Sequence, residues 1–393
     1  MRPDLPEWLD GGTSQLLRGG GPARRRPPLP RWFWPAVGGA GGVAVIIVAL
    51  MLFLPRHRTP APRPGTGGSI APKTPAAPYS AQDPAPPWPG PLPYPIVIAD
   101  QGREHLLEVT PQGKVVWSLT DPQVGTVTIA PKSVAFTPDG NQLLVTSEAQ
   151  DVLAEFNYAT RALTWSFGVP GQAGAGGQHL NYPDQGAMLP NGDVAVADVR
   201  NCREVLIAPS EQVAAIWGKP QQGYCQTDTA KALFGYPDGS APQPNGDVLI
   251  TFGSGDRVAL FTGSGQLVWD TAVPLLYGGF AADATLTPAG DVVVCGYGNP
   301  GAVVAYNPQN GRELWHYFVA SGPGALDEPD DVVPLPNGNV LVADSGHHRV
   351  VVIDPTQGKI VWQYSQGLLD PEGVALDLYH NWRGQAASSS ATH

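Results

Sequence analysis

The chain is poor in cysteine and in basic residues, and it lacks the short motifs that mark common catalytic sites. Only 3 of its 393 residues are Cys, which excludes a disulfide-rich scaffold. It has no glycine-rich phosphate loop, no Gly-x-Ser-x-Gly nucleophile elbow and no paired Cys-x-x-Cys motif. From residue 95 onward, 13 Lys and Arg stand against 30 Asp and Glu. Such a balance repels nucleic acid and favours basic or cationic partners.

One uncharged stretch near the N-terminus is long enough to cross a membrane. Residues 32–54, WFWPAVGGAGGVAVIIVALMLFL, carry no charge, and at the helical rise they reach about 34 Å. A cleaved signal peptide is the alternative, but the run ends in Pro-Arg-His-Arg and lacks the small residues of a cleavage site. We therefore predict a retained, single-pass transmembrane helix at 32–54.

The flanks of this stretch predict how the chain is arranged around the membrane. Residues 1–31 are polar and are expected to form a disordered cytoplasmic tail, because the arginine cluster at 24–26 favours an inside N-terminus. Residues 55–94 are rich in Pro, Ala and Gly and are expected to form an extended spacer. The large C-terminal part is then predicted to lie outside the cytoplasm.

A repeat, clearest at residues 329–362, organises the rest of the chain. Four apolar runs, VVPL, NVLVAD, RVVVID and KIVW, are separated there by turn residues, which is typical of antiparallel strands. A Pro-x-Gly turn recurs at Pro138, Pro190, Pro244, Pro288 and Pro336. Consecutive Trp residues from Trp117 to Trp362 lie 46 to 52 positions apart. Periods of this length with four strands each are typical of propeller blades.

The number of blades depends on how the two ends of the repeat region meet. Residues 95–117 supply only three strands, and a fourth of matching pattern, PEGVALDL, stands at 371–378. Pairing that segment with residues 95–100 closes the ring and leaves no open sheet edge. The sequence thus predicts an all-β fold, a six-bladed β-propeller of four-stranded antiparallel blades over 95–379, followed by a disordered tail at 380–393.

Up-and-down strand order separates two faces of the ring. The short turns after the first and third strands of each blade share one face, here named the turn face. The loops after the second strands and the connectors between blades share the other, here named the loop-rich face. Because connectors such as 166–183 and 218–237 are long, we expect ligand binding on the loop-rich face.

Several segments carry a family resemblance. The stretch VADSGHHRVVVID, together with the connector FGVPGQAGAGGQHLNYPD, resembles the NHL repeat. The segments NGRELW and QGKIVW resemble the Trp-docked repeats of quinoprotein-type propellers, which include the outer-membrane assembly lipoprotein. The resemblance implies a propeller over residues 95–378. It implies little about function, because these families include scaffolds, receptors and enzymes.

Charged residues open the first strand of most blades, the strand nearest the central channel. They are Lys132, Asp184, Asp238, Asp330, Asp331 and Glu372. Crowded carboxylates at a channel mouth can bind a cation or a basic ligand, and crowding raises their pKa values. The alternative is that each Asp caps a connector turn by accepting backbone N–H bonds. No cofactor is expected, apart from a divalent cation such as Ca²⁺ at this mouth.

Polar side chains at the ends of second strands form a second candidate set. Asp100, Asp198 and Asp344 end such strands, and His105, Arg203 and Arg349 follow five residues later, with Arg257 in the same register. A carboxylate facing the loop and a neighbouring guanidinium would hold that loop in place. The structural interpretation is favoured over a catalytic one, because blades two and five have Thr146 and Gly296 instead of Asp.

Histidines, cysteines and tryptophans complete the candidates. His105, His179, His347 and His348 are expected on the loop-rich face as metal or acid–base candidates, although their spacing matches no metal motif and solvated loop histidines are the alternative. Cys202 and Cys225 are predicted to form a disulfide across the longest loop, and Cys295 to be a buried thiol. The six repeat tryptophans are expected to pack between blades.

Together these features predict a membrane-tethered, extracytoplasmic propeller that binds a protein, peptide or cell-envelope polymer with its loop-rich face. An exported propeller enzyme is the alternative, with three versions. A calcium-dependent lactonase would use Asp184, Asp238, Asp330 and Glu372. Quinoprotein dehydrogenases usually have eight blades, and an arylsulfotransferase would need a cluster of His and Arg that the sequence does not show.

Overall fold

The computed structural model describes residues 79, 83–274 and 279–383. These residues form six four-stranded antiparallel sheets, as the repeat predicts. No helix in the described ranges is sufficiently long and apolar to traverse a bilayer. The predicted tail 1–31, transmembrane helix 32–54, most of the spacer 55–94 and residues 384–393 lie outside the described residues.

The strands follow one another around the ring in chain order. The first blade contains β1 (Ile96–Asp100), β2 (His105–Val109) and β3 (Val115–Thr120), and a short hairpin of β4 (Gln123–Val124) and β5 (Val127–Thr128) follows it. The second contains β6 (Val134–Phe136), β7 (Gln142–Ser147), β8 (Val152–Asn157) and β9 (Leu163–Phe167). The third contains β10 (Pro183–Met188), β11 (Val194–Asp198), β12 (Arg203–Ile207) and β13 (Val213–Trp217).

The second half of the ring repeats this order. The fourth blade contains β14 (Pro237–Pro242), β15 (Val248–Phe252), β16 (Arg257–Phe261) and β17 (Leu267–Ala272). The fifth contains β18 (Phe280–Leu286), β19 (Val292–Tyr297), β20 (Ala302–Asn307) and β21 (Arg312–Phe318). The sixth contains β22 (Pro329–Pro334), β23 (Val340–Asp344), β24 (Arg349–Asp354) and β25 (Lys359–Tyr364), and β26 (Pro371–Leu376) follows. Short 3₁₀ turns occupy Gln101–Arg103, Val199–Asn201, Thr229–Lys231 and Ser345–His347.

Strand β26 closes the ring. It pairs antiparallel with β1, with Ile96 opposite Leu376 and Ile98 opposite Val374, so the last strand of the propeller completes its first blade. The first strands of adjacent blades contact one another around a full circle, including β26 with β6. The predicted closure by the segment 371–378 is therefore confirmed.

Each blade is buried on both faces, which explains why its inner strands are nearly continuous apolar runs. Ile96 and Ile98 of β1 pack against Leu341 of the sixth blade, whereas Val97 and Ala99 pack toward the second blade. Alternate residues of one strand thus pack against the two neighbouring blades. Two repeat tryptophans also donate across a blade boundary: Trp117 Nε1 to the Tyr158 carbonyl at 2.7 Å, and Trp362 Nε1 to the Pro111 carbonyl at 2.8 Å.

The packed part of the chain extends beyond both boundaries that the sequence predicts for it. Leu92, assigned to the spacer, is fully buried against the sixth and first blades. At the other end, His380 and Trp382 are 6% and 2% exposed, although the predicted propeller ends at Tyr379. Both segments lie on the turn face, because β1 begins and β26 ends there. Terminal segments carry no repeat pattern, so periodicity alone does not reveal where they pack.

Candidate functional site

The first strands bring one residue from each blade to the channel mouth on the loop-rich face. Counted from the strand pairings, these equivalent positions hold Lys132, Asp184, Asp238, Ala282, Asp330 and Glu372. In five blades the residue directly before is Pro, which fits the start of a strand because it needs no ladder partner there. The residues that the sequence assigns to the channel mouth therefore do converge, and a single cavity is lined by all six.

Lys132 is the centre of this cluster. Its side chain is 6% exposed and its Nζ forms an ion pair with Asp330. The same atom lies 3.0 Å from Glu372 Oε2 and 3.5 Å from Asp184 Oδ2. A further carboxylate, Glu148, lies 3.7 Å from it and was not among the predicted residues. One ammonium group is thus shared by carboxylates from several blades.

Burial and charge act against each other on these groups. Burial disfavours the ammonium of Lys132, but the surrounding carboxylates outweigh it and raise the pKa of Lys132 well above its ordinary value. Burial raises the pKa of Asp238 to about 7. It also raises the pKa values of Asp184 and Asp330, although Lys132 opposes the change. Glu372 differs, since Lys132 overcomes burial and lowers its pKa.

A second layer of carboxylates connects neighbouring first strands. Asp283 Oδ2 accepts a hydrogen bond from the Val332 amide at 3.2 Å, and Asp331 Oδ2 accepts one from the Val374 amide at 2.8 Å. Both amides lie within first strands, so these two carboxylates join neighbouring blades and do not cap connector turns. The outer oxygen of Asp283, Oδ1, is buried without a hydrogen-bond partner among the described residues.

The channel mouth has very little free space. The cavity among these side chains measures about 10 Å³, roughly what a single water needs. Within the described ranges, no three His, Cys, Asp or Glu side chains are placed to hold a metal ion. A calcium ion at this mouth stays a prediction.

The carboxylates that end the second strands hold the connectors in place. Asp198 Oδ1 accepts the Asn181 amide at 2.7 Å, and Arg203 Nε donates to Asp198 Oδ2 at 2.6 Å. The outer nitrogens of Arg203 donate to carbonyls of the connector 168–182. Asp344 and Arg349 repeat this arrangement in the sixth blade.

Two members of the predicted set depart from that arrangement. Asp100 accepts the amides of Leu369 and Asp370, and the residue opposite it in the pairing is His105 in place of Arg. Arg257 pairs instead with Asp270, with 2.8 Å between Nε and Oδ1, because the fourth blade has Phe252 where others have Asp. The Asp100, Asp198 and Asp344 contacts hold connectors, as the structural interpretation expects, whereas the Arg257–Asp270 pair joins two strands of one blade.

The candidate histidines do not form a common site. His179 Nδ1 lies 2.9 Å from the Gly176 carbonyl of its own connector, and His347 Nδ1 lies 3.2 Å from Asp344 Oδ2. His105 has a buried Nε2 without a partner among the described residues, and His348 ends a 3₁₀ turn in the left-handed region. No hydrogen bond joins any two of these four residues.

A disulfide fixes the longest connector of the loop-rich face. Cys202, which ends a 3₁₀ turn, is bonded to Cys225 with 5.7 Å between their Cα atoms. Tyr224, beside it, is 46% exposed. Its ring packs edge-on against Tyr236, and it is held by a hydrogen bond from Ser254 Oγ to its hydroxyl at 3.1 Å. Cys295 is a buried free thiol.

One buried polar cluster on the turn face was not predicted. Glu108, fully buried in β2, accepts hydrogen bonds from the Tyr158 hydroxyl and from Trp382 Nε1, the latter at 2.6 Å. Burial, with the nearby carboxylate of Asp377, raises the pKa of Glu108 well above its ordinary value. The sequence signal was a lone Glu in the apolar run HLLEV.

Comparison with known proteins identifies the type of repeat. The family model described as outer membrane protein assembly factor BamB matches residues 214–388. Over these residues the propeller is similar to that quinoprotein-type repeat family. The predicted resemblance to that group is thus confirmed, and the NHL resemblance stays a prediction. No curated protein matches the chain.

Solved structures show the same fold at low sequence identity. A protein of unknown function from Bacteroides caccae is 16% identical with a TM-score of 0.52, covering 72% of this chain and 98% of its own. A structure from the nidogen/laminin complex is 13% identical with a TM-score of 0.54, again covering 72% of this chain and 98% of its own. At these identities the likeness shows the fold alone.

Proposed function

We propose that the protein is a membrane-tethered, extracytoplasmic propeller that binds a protein, peptide or cell-envelope polymer through its loop-rich face. The observation that carries this proposal is the channel mouth. Lys132 and its carboxylates fill it, leaving a cavity of only about 10 Å³. A ligand larger than a water must therefore bind on the rim and connectors around the mouth.

The construction of the loop-rich face supports binding to a macromolecule. Its connectors are fixed by two Asp–Arg pairs and by the disulfide Cys202–Cys225, so little ordering entropy is lost on association. Tyr224 and Leu369, 46% and 43% exposed, are candidate anchors on this face. From residue 95 onward the chain has a net negative charge, which favours a basic partner.

The positions of the two ends of the propeller leave this face accessible. The segment that enters β1 lies on the turn face, where the Pro91 carbonyl accepts a hydrogen bond from Asn337 Nδ2 at 3.0 Å. The C-terminal segment through Arg383 lies on the same side. The family name, assembly factor, is in keeping with a protein partner.

Photocrosslinking of the full-length chain in its native membrane tests this proposal. A photoreactive residue at Tyr224 or Leu369 is expected to give discrete adducts with an envelope component, whereas one at Ser264, exposed on the turn face, is expected to give none. Membrane-impermeant protease is expected to digest the propeller from outside the cytoplasm. Protection from that protease in intact cells, or equal adducts from all three positions, would refute the proposal.

The enzyme alternative has no observation that favours it over binding. A calcium-dependent lactonase needs a substrate pocket, and the mouth lined by Asp184, Asp238, Asp330 and Glu372 is filled by Lys132. Assay of lactone hydrolysis with added Ca²⁺ separates the two. Turnover that is abolished by Asp238→Asn would replace the binding proposal.

A further inference from the structure

Terminal segments fill two consecutive gaps between blades on the turn face. In the gap between the sixth and first blades, the Pro91 carbonyl accepts hydrogen bonds from Asn337 and Asn339, each at 3.0 Å, and Leu92 is fully buried. In the gap between the first and second blades, Trp382 enters and donates to Glu108. Extended segments are thus the natural occupants of these gaps.

The next gap, between the second and third blades, is open. It forms a groove of about 290 Å³. Its lining includes Pro138, Gln142, Glu155, Met188, Leu189 and Pro190. Pro138, Met188, Leu189 and Pro190 make up the apolar part of this lining. The described parts of the chain place no segment in it.

Glu155 in this groove is the counterpart of Glu108. Glu108 lies opposite Val97 and Trp117 in the first blade, and Glu155 lies opposite Leu144 and Trp165 in the second. Each carboxylate therefore points from the third strand of its blade into the gap that follows. The two gaps differ in what meets that carboxylate.

Glu108 has two donors and Glu155 has none among the described residues. Tyr158 and Trp382 donate to Glu108. In the third blade the register places Pro209, which has no donor, at the position of Tyr158. Glu155 is 9% exposed and lines the groove, so its carboxylate is available to a donor that enters the groove.

A second carboxylate sets the charge of the groove. Asp139 lies in the lining, and it raises the pKa of Glu155 after the larger effect of burial. Asp139 is itself engaged, accepting from the Thr137 hydroxyl at 2.6 Å and from the Asn141 amide at 3.1 Å. With two carboxylates and no donor for Glu155 among the described residues, the groove favours a ligand that carries a cationic hydrogen-bond donor.

We propose that the groove between the second and third blades binds an extended, proline-containing peptide segment of a partner protein that presents one Lys or Arg to Glu155. The apolar lining residues take prolines, as the gap between the sixth and first blades takes Pro91 and Leu92. The cation supplies the donor that Trp382 supplies to Glu108. This site lies on the turn face and is separate from the loop-rich face of the proposed function.

Fluorescence anisotropy with the full-length chain in detergent tests this site. The probe is a labelled peptide, Ala-Pro-Pro-Lys-Pro-Pro-Ala, and the matched control peptide has Gln in place of Lys. The wild-type chain is expected to bind the Lys peptide about tenfold more tightly than the Gln peptide. Glu155→Gln is expected to remove that preference, whereas Glu211→Gln, an exposed carboxylate in the third blade, is expected to retain it.

A second variant tests the groove without removing Glu155. Gln142→Arg places a guanidinium in the lining, where it pairs with Glu155 and is expected to abolish peptide binding while raising the melting temperature. Equal binding by wild type and Glu155→Gln, or no binding by wild type, would overturn the proposal. Two other occupants of the groove would also overturn the proposal. If the peptide binds only after residues 71–78 are deleted, this chain itself occupies the groove. If light scattering shows a dimer that Glu155→Gln converts to monomers, a second copy of the chain occupies it.

Discussion

Glu372 Oε2 and Lys132 Nζ lie 3.0 Å apart, although 240 residues separate them in the chain. Glu372 belongs to β26, the strand that closes the ring, and Lys132 precedes β6 in the next blade. The ion pair therefore connects the last strand of the propeller to its second blade. Because both side chains are almost fully buried, the pair depends on correct closure of the ring.

Replacing Lys132 is expected to destabilise the propeller in a pH-dependent way. Lys132→Met leaves several buried carboxylates without their cation, and we expect a loss of about 3 kcal/mol in the free energy of unfolding near pH 8. The loss should shrink toward pH 5, because Asp184, Asp238 and Asp330 have raised pKa values and can take up protons instead. Urea unfolding at both pH values measures this. Lys219→Met, at an exposed position, is the control.

Glu204 is expected to make stability fall as pH rises. It is fully buried, with Oε1 accepting from the Ser240 hydroxyl at 2.5 Å and Oε2 unpartnered among the described residues. Burial raises its pKa from 4.5 to about 8. The folded protein therefore keeps a proton that the unfolded chain releases in this window. Stability should drop by up to about 1.4 kcal/mol per pH unit between the two values.

The variant Glu204→Gln isolates this effect. It keeps an acceptor for Ser240 but does not titrate, so the slope of unfolding free energy against pH should become flatter between about pH 5 and 8. Glu211→Gln, at an exposed position, should leave the slope unchanged. An identical slope in wild type and Glu204→Gln would show that the carboxyl is ionised in the folded protein.

Periodic features could be predicted from the sequence because a propeller repeats its local structure. Pro-x-Gly turns and regularly spaced tryptophans identify the blades, and the same register places Asp184, Asp238 and Asp330 at one mouth. Glu148 was not predicted as a member of the channel mouth, because it lies in a loop of the second blade and comes close to Lys132 only in the folded chain. Arg257 was placed in the correct register, but its partner is Asp270 on the next strand of its own blade.

The segments outside the repeat could not be placed in this way. Trp382 carries no periodic signal, and the gap it enters depends on where β26 ends and on the space beside Tyr158. Glu108 and Glu155 occupy equivalent positions in adjacent blades, yet only one meets a terminal segment. Such differences arise from tertiary packing, which local propensity and spacing do not encode.

The disulfide is expected to stabilise the loop-rich face. Its ends are 23 residues apart, and a closed loop of that size contributes about 3 kcal/mol. The double variant with Ser at Cys202 and Cys225 should lose about that free energy of unfolding while keeping the sheets intact by circular dichroism. Thiol titration of the unreduced, unfolded wild type should find a single free thiol, Cys295. Three free thiols in protein from its native compartment would contradict the assignment.

Trp382 is expected to contribute both packing and a hydrogen bond. Its ring is 2% exposed and its Nε1 donates to Glu108 at 2.6 Å. Trp382→Ala should cost about 3 to 5 kcal/mol, because it removes a large buried ring and a donor. Trp382→Phe keeps most of the apolar contact and should cost about 1 to 3 kcal/mol, the penalty of an unmet buried acceptor.

The partner variant separates these two contributions. Glu108→Leu removes the acceptor, so in that background Trp382→Phe should cost less than in wild type, and the difference in a double-mutant cycle reports the hydrogen bond alone. Chemical denaturation followed by tryptophan fluorescence and circular dichroism measures all four proteins. If Trp382→Ala unfolds at the same denaturant concentration as wild type, the segment after Tyr379 does not stabilise the propeller. The packed domain would then end at Tyr379.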